Sequence, residues 1–268
     1  AHDSADVWAH RELFQLDDTG MPVVVAGVPP DYFSEDGQKW GTVLYNWDSH
    51  REENWRWWKE RMARMMRLFD VVRVDHFRGF HSAWAIPAED ENARNGVWQK
   101  GPKGEILKIL IDVAGSESRI IAEDLGIIPP EVIALRKENK LDGMAVIQFG
   151  FDGNLETNPH YPSNISTNQI VYTGTHDNDT TLGWWNQSDE GRKIRVKQLL
   201  DDSEDIVEGC IRLAIECDSK LAIVPLQDIL GLDSNCRMNT PGTSENNWNW
   251  QFSWNDLTEN RLQWFGSL

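Results

Sequence analysis

Residues 119–139, RIIAEDLGIIPPEVIALRKEN, hold one complete strand–loop–helix unit. Ile120 and Ile121 begin an apolar run that ends on two adjacent carboxylates, Glu123 and Asp124. Gly126 interrupts the pattern, and Pro129-Pro130 opens a segment of helical period. Proline suits the first helical position, where its missing N–H costs no hydrogen bond and its φ is already helical. The spacing predicts a strand over 119–123 and a helix over 130–139.

The same alternation continues in both directions. Further strands are expected at 22–26, 71–75, 145–149, 169–173 and 221–225. Helices are expected at about 52–69, 105–114, 189–201, 204–218 and 255–266. On the first of these, Trp58 shares a face with Met62, Met65, Met66 and Phe69. Such alternation predicts an α/β fold with parallel strands. A (β/α)8 barrel takes about 250 residues, so 268 residues leave room for one. From 71 onward, however, only five strand–helix units are read, and residues 1–50 form an irregular segment around the run at 22–26. The opening Ala1-His2-Asp3-Ser4-Ala5-Asp6-Val7-Trp8 reads like the end of a strand. The expectation is a single domain, 1–268, that begins partway through a TIM (β/α)8 barrel and is therefore incomplete, with about its last five units present.

Composition narrows the function. With 26 Lys and Arg against 43 Asp and Glu the net charge is -17, which repels phosphate backbones and anionic lipid. Nucleic acid and membrane are therefore unexpected partners, and no apolar run is long enough to span a bilayer. A neutral substrate fits. Cys210, Cys217 and Cys236 form no CxxC pair, and the first two fall on the apolar face of a helix with Ile206, Leu213 and Ala214. They read as reduced core thiols and favour the cytoplasm. Nothing in the first residues reads as a signal peptide. The 14 Trp are mostly core material, but Trp40 lies among turn residues, where a flat ring can stack on the C–H face of a sugar.

Three expected strands end in acids. In Val71-Val72-Arg73-Val74-Asp75-His76 the alternation of side chains puts Arg73 and Asp75 on one face. Glu123 and Asp124 close the second run, and Thr175-His176-Asp177-Asn178-Asp179 closes the third. The C-terminal strand ends of parallel α/β folds form the active-site rim. Asp124 and Asp179 also fit as solvated loop acids or helix caps. Two carboxylates flanking a glycosidic bond can perform retaining chemistry, one as nucleophile and the other as acid and then base, while a third can hold the sugar.

Several motifs resemble those of the amylomaltases, glycoside hydrolase family 77. Val25-Ala26-Gly27-Val28-Pro29-Pro30-Asp31-Tyr32-Phe33-Ser34 with Gly37-Gln38-Lys39-Trp40-Gly41 resembles the family's acceptor loop. Arg73-Val74-Asp75-His76-Phe77-Arg78-Gly79-Phe80 resembles its nucleophile strand, Ala122-Glu123-Asp124-Leu125-Gly126 its acid/base strand, and Thr175-His176-Asp177-Asn178-Asp179-Thr180 its third-carboxylate strand. Pro225-Leu226-Gln227-Asp228 and Arg237-Met238-Asn239-Thr240-Pro241-Gly242 extend the likeness nearly to the end. The resemblance implies a 4-α-glucanotransferase with Asp75 as nucleophile, Glu123 as general acid/base and Asp177 as the sugar-binding carboxylate. It implies substrate-binding roles for Asp3, Phe33, Gln38, Trp40, Arg73, His76, His176 and Asn239. The partners implied are α-1,4-glucans and malto-oligosaccharides, with no cofactor and no metal. Ser163 departs from the family, where a second His is often found, and the family's chain extends about as far again upstream.

Other readings stay open on the residues alone. An α-glucan hydrolase of the α-amylase clan would use the same acids. A metal-dependent TIM-barrel hydrolase would draw on His2, Asp3, His76, His176 and Asp177. A non-catalytic glucan-binding fragment is the last.

Overall fold

In the computed structural model, which describes residues 1–30, 34–201 and 204–268, the β-branched runs form strands and the helical periods form helices. Backbone contacts divide the chain into two units, Ala1–Asp142 and Gly143–Leu268.

The first unit contains α1 (Ala5–Ala9), β1 (Val24–Val28), β2 (Gln38–Val43), α2 (Trp47–Glu52), α3 (Arg56–Leu68), β3 (Val72–Val74), β4 (Ser82–Pro87), β5 (Val97–Lys100), α4 (Gly104–Ala114), β6 (Ile120–Ala122) and α5 (Pro130–Glu138). β3 and β6 pair in parallel, with Val72 opposite Ile120, Arg73 opposite Ile121 and Val74 opposite Ala122. All of β6 is buried, as a strand covered on both faces must be. Its cover comes from α4 and α5, which contribute Ile106, Leu107, Leu110, Val132 and Leu135 to one core with Phe77 and Phe80. Asp124 and Arg136, both nearly buried, form an ion pair at 2.9 Å that ties the loop after β6 to α5.

Two features depart from expectation. The helix expected over 52–69 starts late: Glu52 closes α2, and the second helix, α3, begins only at Arg56, because Asn54 and Trp55 both take left-handed backbone angles, φ 56° and 58°. The second ends at Leu68, which leaves Phe69 outside it and exposed rather than on the Trp58 face. Antiparallel pairing forms a second sheet of order β2-β1-β4-β5, of which only β1 was expected. The stretch 1–50 therefore carries regular elements as well as loops. β2 contains Gln38, Lys39 and Gly41, and β4 ends in Pro87, so their local propensities are poor and long-range pairing decides. Gly27 is needed in β1: a Cβ there would fall 2.0 Å from the Gln38 carbonyl of β2.

The second unit holds a parallel sheet of order β7-β8-β9, with β7 (Gly143–Val146), β8 (Gln169–Tyr172) and β9 (Leu221–Ile223). Its helices are α6 (Thr181–Gln187), α7 (Glu190–Lys197), α8 (Ile206–Glu216), α9 (Leu226–Ile229) and α10 (Glu259–Gly266). β7 and β8 are buried throughout, and α8 covers them with Cys210, Leu213 and Ala214. Cys210 is a free thiol whose pKa burial pushes up to about 12, so it packs as a small apolar side chain. Among the described residues no helix is long and apolar enough to cross a membrane.

His160 holds the end of β7, its Nδ1 accepting the Val146 N–H at 3.3 Å. An accepting ring nitrogen carries no proton, and burial lowers the His160 pKa to about 4. The folded value lies below the unfolded one, so stability present above pH ~6.5 is lost as pH falls toward 4, by roughly 2 kcal/mol at pH 5. Urea unfolding at pH 7 and pH 5 checks this: His160→Gln should lose less stability between the two pH values than the wild type does, and equal losses would contradict it.

Candidate active site

Parallel pairing brings β3 and β6 to the same edge in the same direction. The ladder continues past them, since the Glu123 N–H donates to the Val74 carbonyl at 3.0 Å and the Phe77 N–H to the Glu123 carbonyl at 3.1 Å. Asp75 and Glu123 thus occupy neighbouring positions one step beyond the last strand pair. Their surroundings differ. The Asp75 side chain is 79 % exposed, and Arg73 Nη1 donates to its Oδ1 at 2.9 Å. Glu123 is enclosed, with Oε1 accepting the Leu125 N–H at 2.9 Å and Oε2 the His76 N–H at 2.7 Å. Burial disfavours its charged form and raises its pKa. The Leu125 N–H opposes this, the Asp75 charge adds to it, and Arg73 and the His76 N–H oppose it again. Two adjacent carboxylates with divergent environments are the arrangement that separates an acid from a nucleophile.

His76 takes a left-handed conformation, φ 46°. Burial above all, then Arg78, lowers its pKa to about 4 against the pull of Asp75, so the ring is neutral at pH 7. It meets Trp40 edge to face at 4.8 Å, and Trp40 Nε1 donates to Gln38 Oε1 at 3.1 Å. A cavity of about 620 Å³ lies alongside, with Asp75, His76 and Trp40 in its wall together with the aromatic Tyr45, Trp47 and Trp57.

In the second unit a buried acid organises the loop after β8. Asp228, 1 % exposed, accepts from Thr173 Oγ1 at 2.6 Å, Thr181 N–H at 2.7 Å and Thr181 Oγ1 at 2.8 Å. Burial raises its pKa in spite of these donors. By joining Thr173 to Thr181 it holds both ends of the loop that carries Asp177. Asp177 Oδ1 accepts from Asn239 Nδ2 at 2.6 Å, and its carbonyl accepts from Arg237 Nη2 at 2.7 Å. His176 Nε2 lies 3.3 Å from Asp177 Oδ2, and the Trp248 ring packs against His176 at 5.4 Å. Asp179 is a loop acid held by Thr180 N–H, Gln187 and Ser234.

The expected residues therefore fall into two groups. Arg73, His76, Gln38 and Trp40 gather around Asp75 and Glu123, and His176 and Asn239 gather on Asp177. Asp3 lies exposed in the turn before α1, next to the cavity-lining Ser4. Phe33 lies outside the described residues. Arg237, Asp228 and Trp248 were not singled out from the sequence. Arg237 and Asp228 stand inside two of the matched motifs, whereas Trp248 has no local signal. Among the described residues no group of three or more His, Cys, Asp or Glu is placed to hold a metal ion.

Against known proteins, residues 1–258 match the family model for 4-alpha-glucanotransferase, glycoside hydrolase family 77. The chain is 47 % identical over 263 residues to the 4-alpha-glucanotransferase of Synechocystis, covering 97 % of this chain and 52 % of that protein. It is 46 % identical to the chloroplastic/amyloplastic 4-alpha-glucanotransferase of Solanum tuberosum, covering 92 % of this chain and 43 % of that one. Among solved structures, the amylomaltase from Streptococcus agalactiae in complex with acarbose matches with a TM-score of 0.94 at 36 % identity, over 100 % of this chain and 54 % of that chain. The chain spans about half the length of these relatives. It belongs to the 4-alpha-glucanotransferase family, glycoside hydrolase family 77.

Proposed function

We propose that this chain carries the catalytic carboxylates of a retaining 4-α-glucanotransferase, which moves α-1,4-glucan segments from a donor to a glucan or glucose acceptor. The pairing of an exposed, Arg73-held Asp75 with an enclosed Glu123 of raised pKa carries the reading. Neighbouring strands stand about 4.8 Å apart, and retaining enzymes keep their two carboxyl groups about 5–5.5 Å apart. Asp75 attacks the anomeric carbon while Glu123 protonates the departing glycosidic oxygen, which leaves a covalent glycosyl–Asp75. Glu123, now a carboxylate, takes the proton of the acceptor hydroxyl, and that oxygen displaces Asp75. Asp177 binds the sugar hydroxyls, with Asn239 and His176 orienting it. Asp3, Phe33, Gln38 and Trp40 contact glucan, and an aromatic cavity beside Asp75 suits uncharged sugar rings.

The parallel strands are assigned to the C-terminal part of a (β/α)8 barrel, supported by the amylomaltase likeness over this whole chain. The substrate class is supported by the acarbose-bound relative and by a net charge of -17, which favours a neutral ligand. Three free thiols fit a reducing compartment such as the cytoplasm.

Incubation with maltotriose should give glucose together with glucans longer than the substrate. Products that only shorten would reassign the chain as a hydrolase, and binding without turnover would make it a glucan-binding fragment. Asp75→Asn and Glu123→Gln should each lower transfer, by roughly 10²–10⁴-fold for the acid/base. Retention of most activity in either would overturn the role. The first step needs Glu123 protonated, so kcat/KM should decline as pH rises through its raised pKa. Arg73 opposes that rise, so Arg73→Leu should move the alkaline limb to higher pH; a shift to lower pH would contradict the assignment.

A further inference from the structure

Successive N–H groups in an extended strand point to opposite sides. At His76 and Phe77 they do not. The His76 N–H donates to the Glu123 carboxylate at 2.7 Å, and the Phe77 N–H donates to the Glu123 carbonyl at 3.1 Å. The cause is the backbone: His76 is left-handed, φ 46° and ψ 51°, and Phe77 begins a 3-10 turn over Phe77–Phe80. A left-handed residue followed by a right-handed one turns two adjacent N–H groups into one concavity, a cradle for an oxygen anion. A non-glycine residue in this region carries a conformational cost. That cost falls on the residue directly after Asp75, and its product is a donor on the neighbouring carboxylate.

The side chain does something else. The His76 ring meets Trp40 of the antiparallel sheet edge to face, with 4.8 Å between ring centres and 89° between planes. Gly79 passes beneath it, its absent Cβ position 3.4 Å from His76 Cδ2. With the ring uncharged, this contact holds Trp40 without adding a cation to the site.

We propose that His76 is a positioning residue with two separable roles: its left-handed backbone hands an N–H to Glu123 Oε2, and its ring seats Trp40. The proposal rests on the reading of Glu123 as the acid/base and goes beyond it by separating main chain from side chain. The backbone donor favours the carboxylate over the acid. It thereby steadies the carboxylate that Glu123 becomes once it has protonated the leaving oxygen, the form that acts as base in the second half of the reaction, against the burial that disfavours its charge. The charged groups facing Glu123 are Asp75 and Arg73; Arg78 faces the His76 ring, and Asp124 is tied to Arg136.

The test compares His76→Gly, which keeps the left-handed backbone and deletes the ring, with His76→Val, whose branched Cβ resists that backbone. Glu123 is titrated by carboxyl-¹³C NMR in each variant, its resonance assigned by Glu123→Gln. This reading needs no turnover, so it stands even where the transferase reading fails. His76→Gly should leave the Glu123 titration where it is in the wild type, and His76→Val should move it to higher pH. In transfer assays His76→Gly should raise the acceptor KM several-fold with the alkaline limb unmoved. A Glu123 titration displaced in His76→Gly overturns the backbone role, and an unchanged acceptor KM there overturns the ring role. Both hold even if His76→Val does not fold. A folded His76→Val with a wild-type titration also overturns the backbone role.

Discussion

The parallel ladder between β3 and β6 is the constraint on which the proposed chemistry depends. Only three residue pairs make it, yet they decide which side chains stand next to one another at its end. A slip of one residue would turn every side chain of a strand to the other face. It would set Glu123 beside Val74 or His76 and remove it from Asp75. Burial resists the slip. Ile120 and Ala122 are almost wholly enclosed by α4 and α5, and Phe77, just after the nucleophile candidate, sits in the same core. Two main-chain bonds at the exit, Glu123 to Val74 and Phe77 to Glu123, extend the ladder where the strands themselves end, and the Ala122 N–H ties β6 separately to the Asp142 carbonyl.

The two acids differ because of what surrounds them and not because Glu differs from Asp. Asp75 faces solvent and the Arg73 guanidinium. Glu123 is largely withdrawn from solvent, with two main-chain donors moderating the effect of burial. In the second unit the logic is reversed. Among the described residues no cation pairs with the buried Asp228, and its three donors from Thr173 and Thr181 make it a structural link, so that Asp177 on the intervening loop remains accessible. Removing one donor from such an enclosed carboxylate would leave an oxygen unsatisfied and cost about 1–3 kcal/mol.

The parallel strands were legible in the sequence because a strand covered on both faces must be a continuous apolar run, as at Ile120-Ile121-Ala122 and Ile170-Val171-Tyr172. The carboxylates were legible because each closes or follows an expected strand, Asp75 after Val72-Arg73-Val74, Glu123 after Ile120-Ile121-Ala122 and Asp177 in the loop after Tyr172. β2, β4 and β5 were not, since their pairing is set by strands tens of residues away and their own residues include Gly41 and Pro87. The break at Asn54 and Trp55 carries no Gly or Pro to mark it. Around the candidate site, residue types could be read but main-chain donors could not. Nothing in the letters His76 or Leu125 says that their N–H groups turn onto Glu123. Trp248 reaches His176 across 72 positions of chain, a contact that no local pattern encodes.

The most direct measurement is to trap the covalent intermediate. In Glu123→Gln, α-maltosyl fluoride supplies a leaving group that needs no acid, while the missing base prevents an acceptor from releasing the sugar. The account predicts one maltosyl unit on the protein, located by mass spectrometry of peptides to Asp75. A stable adduct on Asp177 or any other side chain, or consumption of the fluoride with Asp75 unmodified, would contradict it.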